Sequence, residues 1–280
     1  MNTVKYRTEE EQLEAVKKNA LAIKYFYNPS EKVQLKAVKK DGEAIKYIHN
    51  PSETVQLAAV RKNGFAIQFI YNPSEAVQLE AVRKSADAIH FIHNPSEAVQ
   101  LAAVREDAFA IKSIHNPSEA VQMAVLKDIA TMRYSCIWYS PIQFIYSLSE
   151  TAQIAAVKYN GWLIQFIHNP SETVQLEAVK NKGEAIQFIY NPSEELQLKA
   201  IRKTAFAIQY IHNPSVKVQM AAVSKAPSAI EFINNPADEV VRYVIENNFK
   251  KPRIINSIRA DFDKLPNDLQ LLLEMNLSSK

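Results

Sequence analysis

One phrase of the sequence is repeated along most of the chain. It reads N-P-S-E-A-V-Q-L-A-A-V at Asn94, and close variants start at residues 28, 50, 72, 116, 169, 191, 213 and 235. Successive starts lie 22 residues apart, except across one interruption after residue 116. A divergent copy begins at Tyr6 and another at Ser147, which brings the number of units to eleven. A fixed period of this length predicts a stacked repeat architecture.

Each unit reads as two helices when its positions are numbered 1 to 22 from the asparagine. The opening Asn-Pro-Ser-Glu predicts a helix start with Asn at the N-cap, Pro at N1 and Glu at N3 of a capping box. Apolar residues at positions 6, 8, 10 and 11 give this helix a buried face. Glycine or alanine at position 15, as in Gly42 and Ala86, predicts a turn that needs a small residue more than a left-handed one. A second, short helix such as A-I-Q-F-I completes the unit.

These features predict an all-α fold, an α-solenoid whose eleven 22-residue helix-turn-helix repeats wind into a right-handed superhelix. The predicted solenoid spans residues 1–250, and residues 251–280 form a C-terminal helical cap of the kind that an open-ended repeat array needs. A last half-unit is expected from Leu265, where L-P-N-D-L-Q-L-L-L-E-M-N echoes the opening half of the repeat.

Composition narrows the class of protein without naming an activity. The 280 residues include 33 basic and 30 acidic side chains, and the net charge of +3 gives no gross bias toward nucleic acid. Cys136 is the single cysteine, which excludes an intrachain disulfide and predicts a cytoplasmic location. The charged N-terminal sequence does not resemble a secretory signal, and no apolar run is long enough to span a membrane.

The repeat N-P-S-E-x-V-Q-L-x-A-V resembles short HEAT-like and leucine-rich-variant repeats, which have an Asp/Asn-Pro opening and Val-Arg where this chain has Val-Gln. The stretch A-V-R-K-N-G-F-A-I-Q-F-I is also similar to alanine-rich helical repeats of bacterial and large-virus proteins. The resemblance covers about residues 6–250. It implies a scaffold fold and leaves the partner open, because such scaffolds carry many functions.

Two columns of polar residues are predicted to be structural. Position 7 is glutamine in ten units, and a half-buried amide there is expected to bridge to the backbone or loop of the adjacent unit. Position 4 is acidic and position 12 basic, as favoured by the dipole of the first helix. The alternative is that the basic column, with further lysines at position 13, follows a phosphate backbone. Its candidate phosphate-binding residues are Lys39, Arg61, Arg83, Arg105, Lys158 and Arg202.

Position 22 alternates between histidine and tyrosine. Five of the six histidines occupy it, and we expect these flat rings to pack at the turn before the proline. Histidines in units stacked about 10 Å apart do not converge on one ion, so no metal site and no cofactor are predicted.

Position 16 varies within an otherwise constant frame, which is where a repeat scaffold stores specificity. Phe65, Phe109, Trp162 and Phe206 occupy it in alternate units. We predict that they bind a partner, and the alternative is that they pack against neighbouring units.

The interruption lies in the sixth unit, where 31 residues separate Asn116 from Ser147, nine more than the period. The nine-residue insertion falls within residues 127–146 and is expected to lengthen the first helix before Ser140-Pro141 restarts the second. Insertions in repeat arrays often lie on the binding face. The partner-binding candidates here are Arg133, Tyr134, Trp138 and Tyr139, and the segment is also a candidate homodimer contact.

The leading hypothesis is a non-catalytic scaffold that binds a protein or peptide along the inner curve of the solenoid. Because the resemblance extends to viral repeats, an inhibitor of a host or defence protein is a special case. The alternative is a nucleic-acid binder that uses the basic column. Some HEAT-like proteins are DNA glycosylases, and the chain offers Asp128, Trp138, Tyr139 and Trp162 for such a role. No catalytic motif is present, and the sequence predicts no enzyme.

Overall fold

A computed structural model of the chain describes residues 8–131, 140–248, 258 and 265–278. The chain divides into two compact units, residues 1–148 and 149–280, which we call the N-terminal unit and the C-terminal unit. Within the described residues the fold is all-α and built from regularly repeated helices, which confirms the predicted repeat fold class.

The first helix of each repeat is a regular α-helix, in most cases of ten residues. The α-helices are α1 Glu9–Lys18, α2 Glu31–Lys40, α3 Glu53–Lys62, α4 Glu75–Lys84, α5 Glu97–Glu106, α6 Glu119–Thr131, α7 Glu150–Tyr159, α8 Glu172–Asn181, α9 Glu194–Lys203, α10 Val216–Lys225, α11 Asp238–Asn248 and α12 Asn267–Ser278.

The second helix of each repeat is a 3₁₀-helix, usually of six residues. These are η1 Ala20–Tyr25, η2 Gly42–Tyr47, η3 Gly64–Phe69, η4 Ala86–Phe91, η5 Ala108–Ser113, η6 Pro141–Phe144, η7 Gly161–Phe166, η8 Gly183–Phe188, η9 Ala205–Tyr210 and η10 Pro227–Phe232. Six residues are few for an α-helix, and 3₁₀ geometry is common in short pieces of this kind.

The α-helices start two residues later than predicted. Asn28 has φ 46°, in the left-handed region, and therefore cannot be the N-cap, which needs an extended backbone. Ser30 is extended, with φ −60° and ψ 154°, and its hydroxyl accepts the backbone N–H of Val33. Asparagine tolerates the left-handed region better than most residues. Asn28 therefore forms the turn, and Ser30 is the N-cap of α2. The predicted capping box is therefore wrong for this helix, because Glu31 is its first residue and not its third. A reciprocal capping box does occur in the first repeat, between Thr8 and Glu11.

A single residue joins the two helices of a repeat. Asp41, at position 14, is extended; its backbone N–H donates to Ala37 and closes α2, while its carboxylate accepts the N–H of Glu43 and caps η2. The next residue must be small, because a Cβ on Gly42 would lie 2.6 Å from the carbonyl oxygen of Ala59 in the following repeat. The described glycines all lack positive φ, which confirms that size rather than conformational freedom governs position 15.

The core is formed by positions 6, 10, 11, 17, 18 and 21. In the second repeat these are buried residues, while Leu35 at position 8 is only half-buried, so the buried face of α2 is narrower than predicted. The core residues there are Val33, Ala37, Val38, Ala44, Ile45 and Ile48. Within each unit every α-helix packs against the next α-helix, and η2 and η3 each pack against the α-helix of the following repeat as well as their own.

At the interruption, α6 extends to Thr131 and is three residues longer than the ten-residue helices. Pro141 then lies in the first turn of η6, with Ser140 at its N-cap position, as the sequence predicts. Near the C-terminus, α11 and α12 pack together, and Arg242 pairs with Asp268. Gln270 donates to the carbonyl of Leu265, which reproduces the opening half of the repeat as expected. In the described part of the chain, every helix is too short or too polar to cross a bilayer.

Candidate interaction surfaces

The glutamine column is structural. In eight repeats the side-chain Nε2 of position 7 donates to the carbonyl of the proline at position 2, at 2.8–3.0 Å. The donors are Gln34, Gln56, Gln78, Gln100, Gln122, Gln175, Gln197 and Gln219. The bond therefore holds the turn of the same repeat rather than of its neighbour. Bridges to the next repeat are added by Gln122, which donates to Ser147, and by Gln219, which accepts from Ala237.

The acidic column joins consecutive repeats. The N-cap serine of one repeat donates its hydroxyl to the glutamate that starts the preceding α-helix, as Ser52 does to Glu31 at 2.5 Å and Ser171 to Glu150 at 2.6 Å. Each such carboxylate lies at the N-terminus of its helix, where its negative charge interacts favourably with the positive end of the helix dipole. The acidic residues thus form one exposed edge of each unit.

The basic column lies at the opposite ends of the same helices. Lys40 at position 13 donates to the carbonyl of Lys17 in the preceding repeat at 2.5 Å, and so caps the end of α1. Among the phosphate candidates, Arg61 pairs with Glu80 at 3.1 Å. The exposed side chains of Lys39, Arg83 and Arg105 have no ion pair with any described residue.

The C-terminal unit contains the same basic edge. Lys180 donates to Glu177 at 2.7 Å, and this hydrogen bond lowers the pKa of the Glu177 carboxyl. The phosphate candidates Lys158 and Arg202 lie on this edge, and each offers a backbone carbonyl to a side chain of the next repeat, Asn181 and Lys225 respectively. These two bonds use the backbone carbonyls of Lys158 and Arg202, so the structural role belongs to the position-13 side chains and not to the side chains of the phosphate candidates.

The position-16 aromatic residues pack edge-to-face on aromatic residues at position 20 of the following repeat. The ring centroids of Phe65 and Phe91 are 6.1 Å apart, and those of Trp162 and Phe188 are 5.9 Å apart. Phe109 and Phe206 make equivalent pairs with Phe144 and Phe232. The four residues therefore pack against neighbouring repeats, while Phe65 and Phe206 remain 38% and 42% exposed. Their predicted role in partner binding stays a prediction.

The exposed aromatic residues of η1–η4 form one surface of the N-terminal unit, which we call the aromatic face. It comprises Tyr25, Tyr47, Phe65, Phe69 and Phe91. Lysines accompany the rings: the Nζ of Lys24 lies 4.8 Å from the Tyr25 centroid, and the Nζ of Lys46 lies 5.5 Å from the Phe69 centroid. Hydrogen bonding to Tyr25 raises the pKa of Lys24. This surface combines rigid rings with cations.

The rings at position 22 do not pack at the turn, contrary to the sequence prediction. Tyr27, Tyr71, Tyr146 and Tyr190 are 89–97% exposed, and the position-22 histidines are exposed as well. The reason is that the chain beyond position 21 reverses through the left-handed asparagine, which leaves position 22 on the outside of the turn. The sequence signal for this exposed column is the recurrence of an aromatic or imidazole ring at position 22.

One groove of about 410 Å³ lies between consecutive turns of the C-terminal unit. Its lining includes the position-22 residues Tyr190 and His212 of the eighth and ninth repeats, together with Tyr210, Asn191 and the structural Gln197. The position-20 and position-22 rings therefore open onto the same groove.

Arg133, Tyr134, Trp138 and Tyr139 lie outside the described residues, as does Cys136. Burial raises the pKa of the Asp128 carboxyl, and the nearby Asp107 charge adds to the effect. The described residues contain no cluster of three or more histidine, cysteine or acidic side chains that could hold a metal ion.

Comparison with known proteins does not assign the chain to a family. A scan against protein-family models, a search of curated proteins and a search of solved structures each found no match to this chain. The helical repeat is therefore established by the structure, while the resemblance to HEAT-like repeats stays a prediction from the repeat motif.

Proposed function

We propose that the protein is a repeat scaffold that binds an extended polypeptide segment across the aromatic face. The observation that carries this proposal is the row of five large rings on η1–η4, each more than a third exposed, whereas the core positions of the same repeats are almost fully buried. Soluble proteins rarely leave contiguous apolar surface of this kind uncovered unless a partner covers it.

The rings are arranged in advance of binding. Phe65 and Phe91 hold each other edge-to-face, and Phe69 and Tyr47 flank the Lys46 ammonium. A partner therefore does not have to order flexible side chains, which is the main cost of many interfaces. Preorganised aromatic residues are also the type most often found at the energetic centre of an interface.

The size of the surface indicates the kind of partner. Covering the exposed two-fifths of one aromatic side chain removes roughly 60–100 Å² from water, worth about 1.5–2.5 kcal/mol. Association alone costs at least about 4 kcal/mol, so a partner must cover several rings to bind. Because the rings lie in consecutive repeats, an extended segment meets this requirement best.

The test selects peptides from a randomised dodecapeptide display library on the immobilised full chain, followed by fluorescence anisotropy of the enriched peptides. The Tyr25→Ser/Tyr47→Ser variant should bind them at least tenfold more weakly, since it removes two rings of the aromatic face. Tyr159→Ser, which removes an exposed ring in the C-terminal unit, is the matched control and should bind normally. Failure to enrich any peptide, or equal binding by both variants, would contradict the proposal.

A second candidate is nucleic-acid binding along the basic edge, favoured by Lys39, Arg83 and Arg105, which have no ion pair in the described structure. It predicts that affinity for duplex DNA falls steeply between about 50 and about 200 mM salt. The Arg83→Glu/Arg105→Glu variant should abolish this binding. Binding that is insensitive to salt would eliminate this candidate.

A further inference from the structure

Three glutamines of the C-terminal unit form a row on consecutive 3₁₀-helices. Gln165, Gln187 and Gln209 occupy position 19 of η7, η8 and η9, and each of these helices packs against the next. In all three, the side-chain Nε2 donates to the backbone carbonyl of position 16 in the same repeat at 3.0 Å. The three amides are therefore held in the same way, and we call them the position-19 row.

The position-19 row keeps hydrogen-bonding capacity for a partner. A glutamine side chain has two N–H groups and one carbonyl oxygen, and the bond to position 16 uses one N–H. The second N–H and Oε1 of Gln165, Gln187 and Gln209 make no hydrogen bond with any other residue that the structure describes. Gln209 is exposed and the other two are half-buried, so a partner can reach the row.

Little charge surrounds the position-19 row. In the N-terminal unit the same position carries the lysines of η1, η2 and η5, whereas η7–η9 contain Glu184 as their one charged residue. A phosphate group would therefore find no cation on these helices and would be repelled by Glu184. The surface suits an uncharged ligand that exchanges hydrogen bonds with amides.

A groove opens beside the middle of the position-19 row. Gln187 lines the groove of about 410 Å³ together with Phe188 and Tyr210, the position-20 rings of consecutive repeats, and with the exposed Tyr190. The residues that line this groove include no lysine, arginine, aspartate or glutamate. Uncharged grooves lined by aromatic rings are the type of site that binds polyproline II segments, whose conformation is formed before binding.

The spacing of the repeats matches a polyproline II helix. Packed helices lie about 8–10 Å apart, and three residues of polyproline II make one turn of about 9 Å. One edge of such a segment therefore meets the position-19 row once in every repeat. A β-strand does not match, because its side chains return to one face every about 6.6 Å. Proline also lacks an N–H, so its carbonyls are free to accept the second N–H of each glutamine.

We propose that the groove and the position-19 row bind a proline-rich segment in the polyproline II conformation, with one turn of the segment for each repeat. The glutamines donate to its carbonyls, and Phe188, Tyr190 and Tyr210 contact its proline rings. This site lies in the C-terminal unit and the aromatic face lies in the N-terminal unit, so the proposal does not depend on the function proposed above.

The experiment measures fluorescence anisotropy of four labelled probes with the full chain. The probes are nonaproline, triproline, a nine-residue glycine-serine peptide and an oligothymidine of nine nucleotides. Nonaproline should bind at least tenfold more tightly than each of the others. Triproline makes one turn and reaches one repeat, the glycine-serine peptide is flexible, and the oligothymidine is charged.

Variants then assign the binding to this site. Gln187→Ala/Gln209→Ala removes two amides of the row and should weaken binding of nonaproline at least tenfold. The matched control is Gln68→Ala, because Gln68 makes the same 3.0 Å bond to position 16 in the N-terminal unit, and it should change the affinity less than twofold. Tyr25→Ser/Tyr47→Ser, which removes rings of the aromatic face, should also change it less than twofold.

Tyr190→Ser tests the groove by itself. Its side chain is 91% exposed, so circular dichroism should show unchanged helicity, while nonaproline should bind at least fivefold more weakly. This variant keeps the test valid if the double glutamine variant does not fold.

Selective binding of nonaproline that is lost in the C-terminal variants and kept in both N-terminal variants supports the proposal. Four results would overturn it: no saturable binding of nonaproline, equal binding of the glycine-serine peptide, tightest binding of the oligothymidine, or an equal loss of affinity in Gln68→Ala or Tyr25→Ser/Tyr47→Ser.

Discussion

The hydroxyl of Ser52 donates a 2.5 Å hydrogen bond to the carboxylate of Glu31 in the preceding repeat while it also accepts the backbone N–H of Val55. One side chain thus starts its own helix and fastens the repeat before it. Because the relationship recurs through α2 to α6 of the N-terminal unit, helix capping and repeat stacking are coupled there, and a change at one serine affects both.

Replacing Ser52 by alanine should therefore cost more than the loss of an ordinary N-cap. Loss of a serine cap typically costs about 1 kcal/mol, and the lost hydrogen bond to a charged group adds about 1.5 kcal/mol or more. We expect the free energy of unfolding to fall by about 2–3 kcal/mol, measured by urea titration.

The matched control is Thr54→Ala, which removes a hydroxyl two residues away on the exposed side of the same helix. Alanine occupies that position in the next three repeats, so stability should change by less than about 0.5 kcal/mol. Equal effects of the two substitutions would show that the serine does not couple the repeats.

Gln78→Glu should destabilise the protein in a way that depends on pH. The Gln78 amide donates to the Pro73 carbonyl at 2.9 Å, and an ionised carboxylate cannot donate this bond. We expect a loss of about 1–3 kcal/mol at pH 7, with partial recovery near pH 4, where a protonated glutamic acid donates again.

Gln68→Glu provides the comparison, because Gln68 makes a similar bond of 3.0 Å to Phe65 but lies exposed, where water replaces it. The melting temperatures of both variants, measured from pH 4 to pH 8, distinguish the half-buried amide of Gln78 from the exposed amide of Gln68: only the Gln78→Glu variant should lose stability as the pH rises. A pH-independent difference between them would contradict the structural role given to position 7.

The sequence was sufficient to predict the repeat, its two helices and three of the four positions expected on the buried face of the first helix, because the periodic apolar residues determine them directly. Position 8 is the exception, since Leu35 is only half-buried. The sequence predicted the start of the α-helix in each repeat two residues too early. Asn28 and Ser30 are both good N-cap residues, and the choice depends on the backbone angle of Asn28, which the turn as a whole determines.

The rings of the candidate surfaces were harder to place from the sequence. Phe65 and Tyr71 are both aromatic residues in a short apolar segment, yet Phe65 packs on Phe91 and Tyr71 extends into solvent. The difference comes from contacts 26 residues apart in the sequence and from the direction in which the turn leaves η3. Neither is encoded in the local pattern.

Gly42→Ala should lower stability, although alanine is found at the equivalent position of other repeats. The added Cβ would approach the Ala59 carbonyl oxygen to 2.6 Å, and backbone atoms of the neighbouring repeat must move. Overpacking of this kind costs about 1–3 kcal/mol. Chemical denaturation gives the measurement.

The reciprocal change, Ala86→Gly, tests whether the loss of stability expected for Gly42→Ala comes from the packing around position 15 in that repeat or from the residue type alone. Since alanine already fits in η4, its replacement should cost about 1 kcal/mol or less, from backbone entropy alone. A stabilising effect of Gly42→Ala would indicate that the spacing between repeats adjusts freely and that size does not govern position 15.

Asp128 should make stability depend on pH with a sign opposite to that of a typical paired carboxylate. Burial raises the pKa of Asp128 above 3.8, and the Asp107 charge raises it further, so the folded chain binds a proton that the unfolded chain has already released. Stability contributed by this group is therefore complete below pH 3.8 and is lost as the pH rises through the raised pKa. Asp128→Asn keeps the shape of the side chain and removes its titratable carboxyl group. The melting temperature of the variant minus that of the wild type should therefore grow as the pH is raised from about 4, and then level off.

Scanning calorimetry of both proteins across this pH range tests the prediction. The control is Glu106→Gln, at the exposed end of α5, which should show no such trend. A difference that shrinks with rising pH would show that the charged form of Asp128 is the one that the fold stabilises.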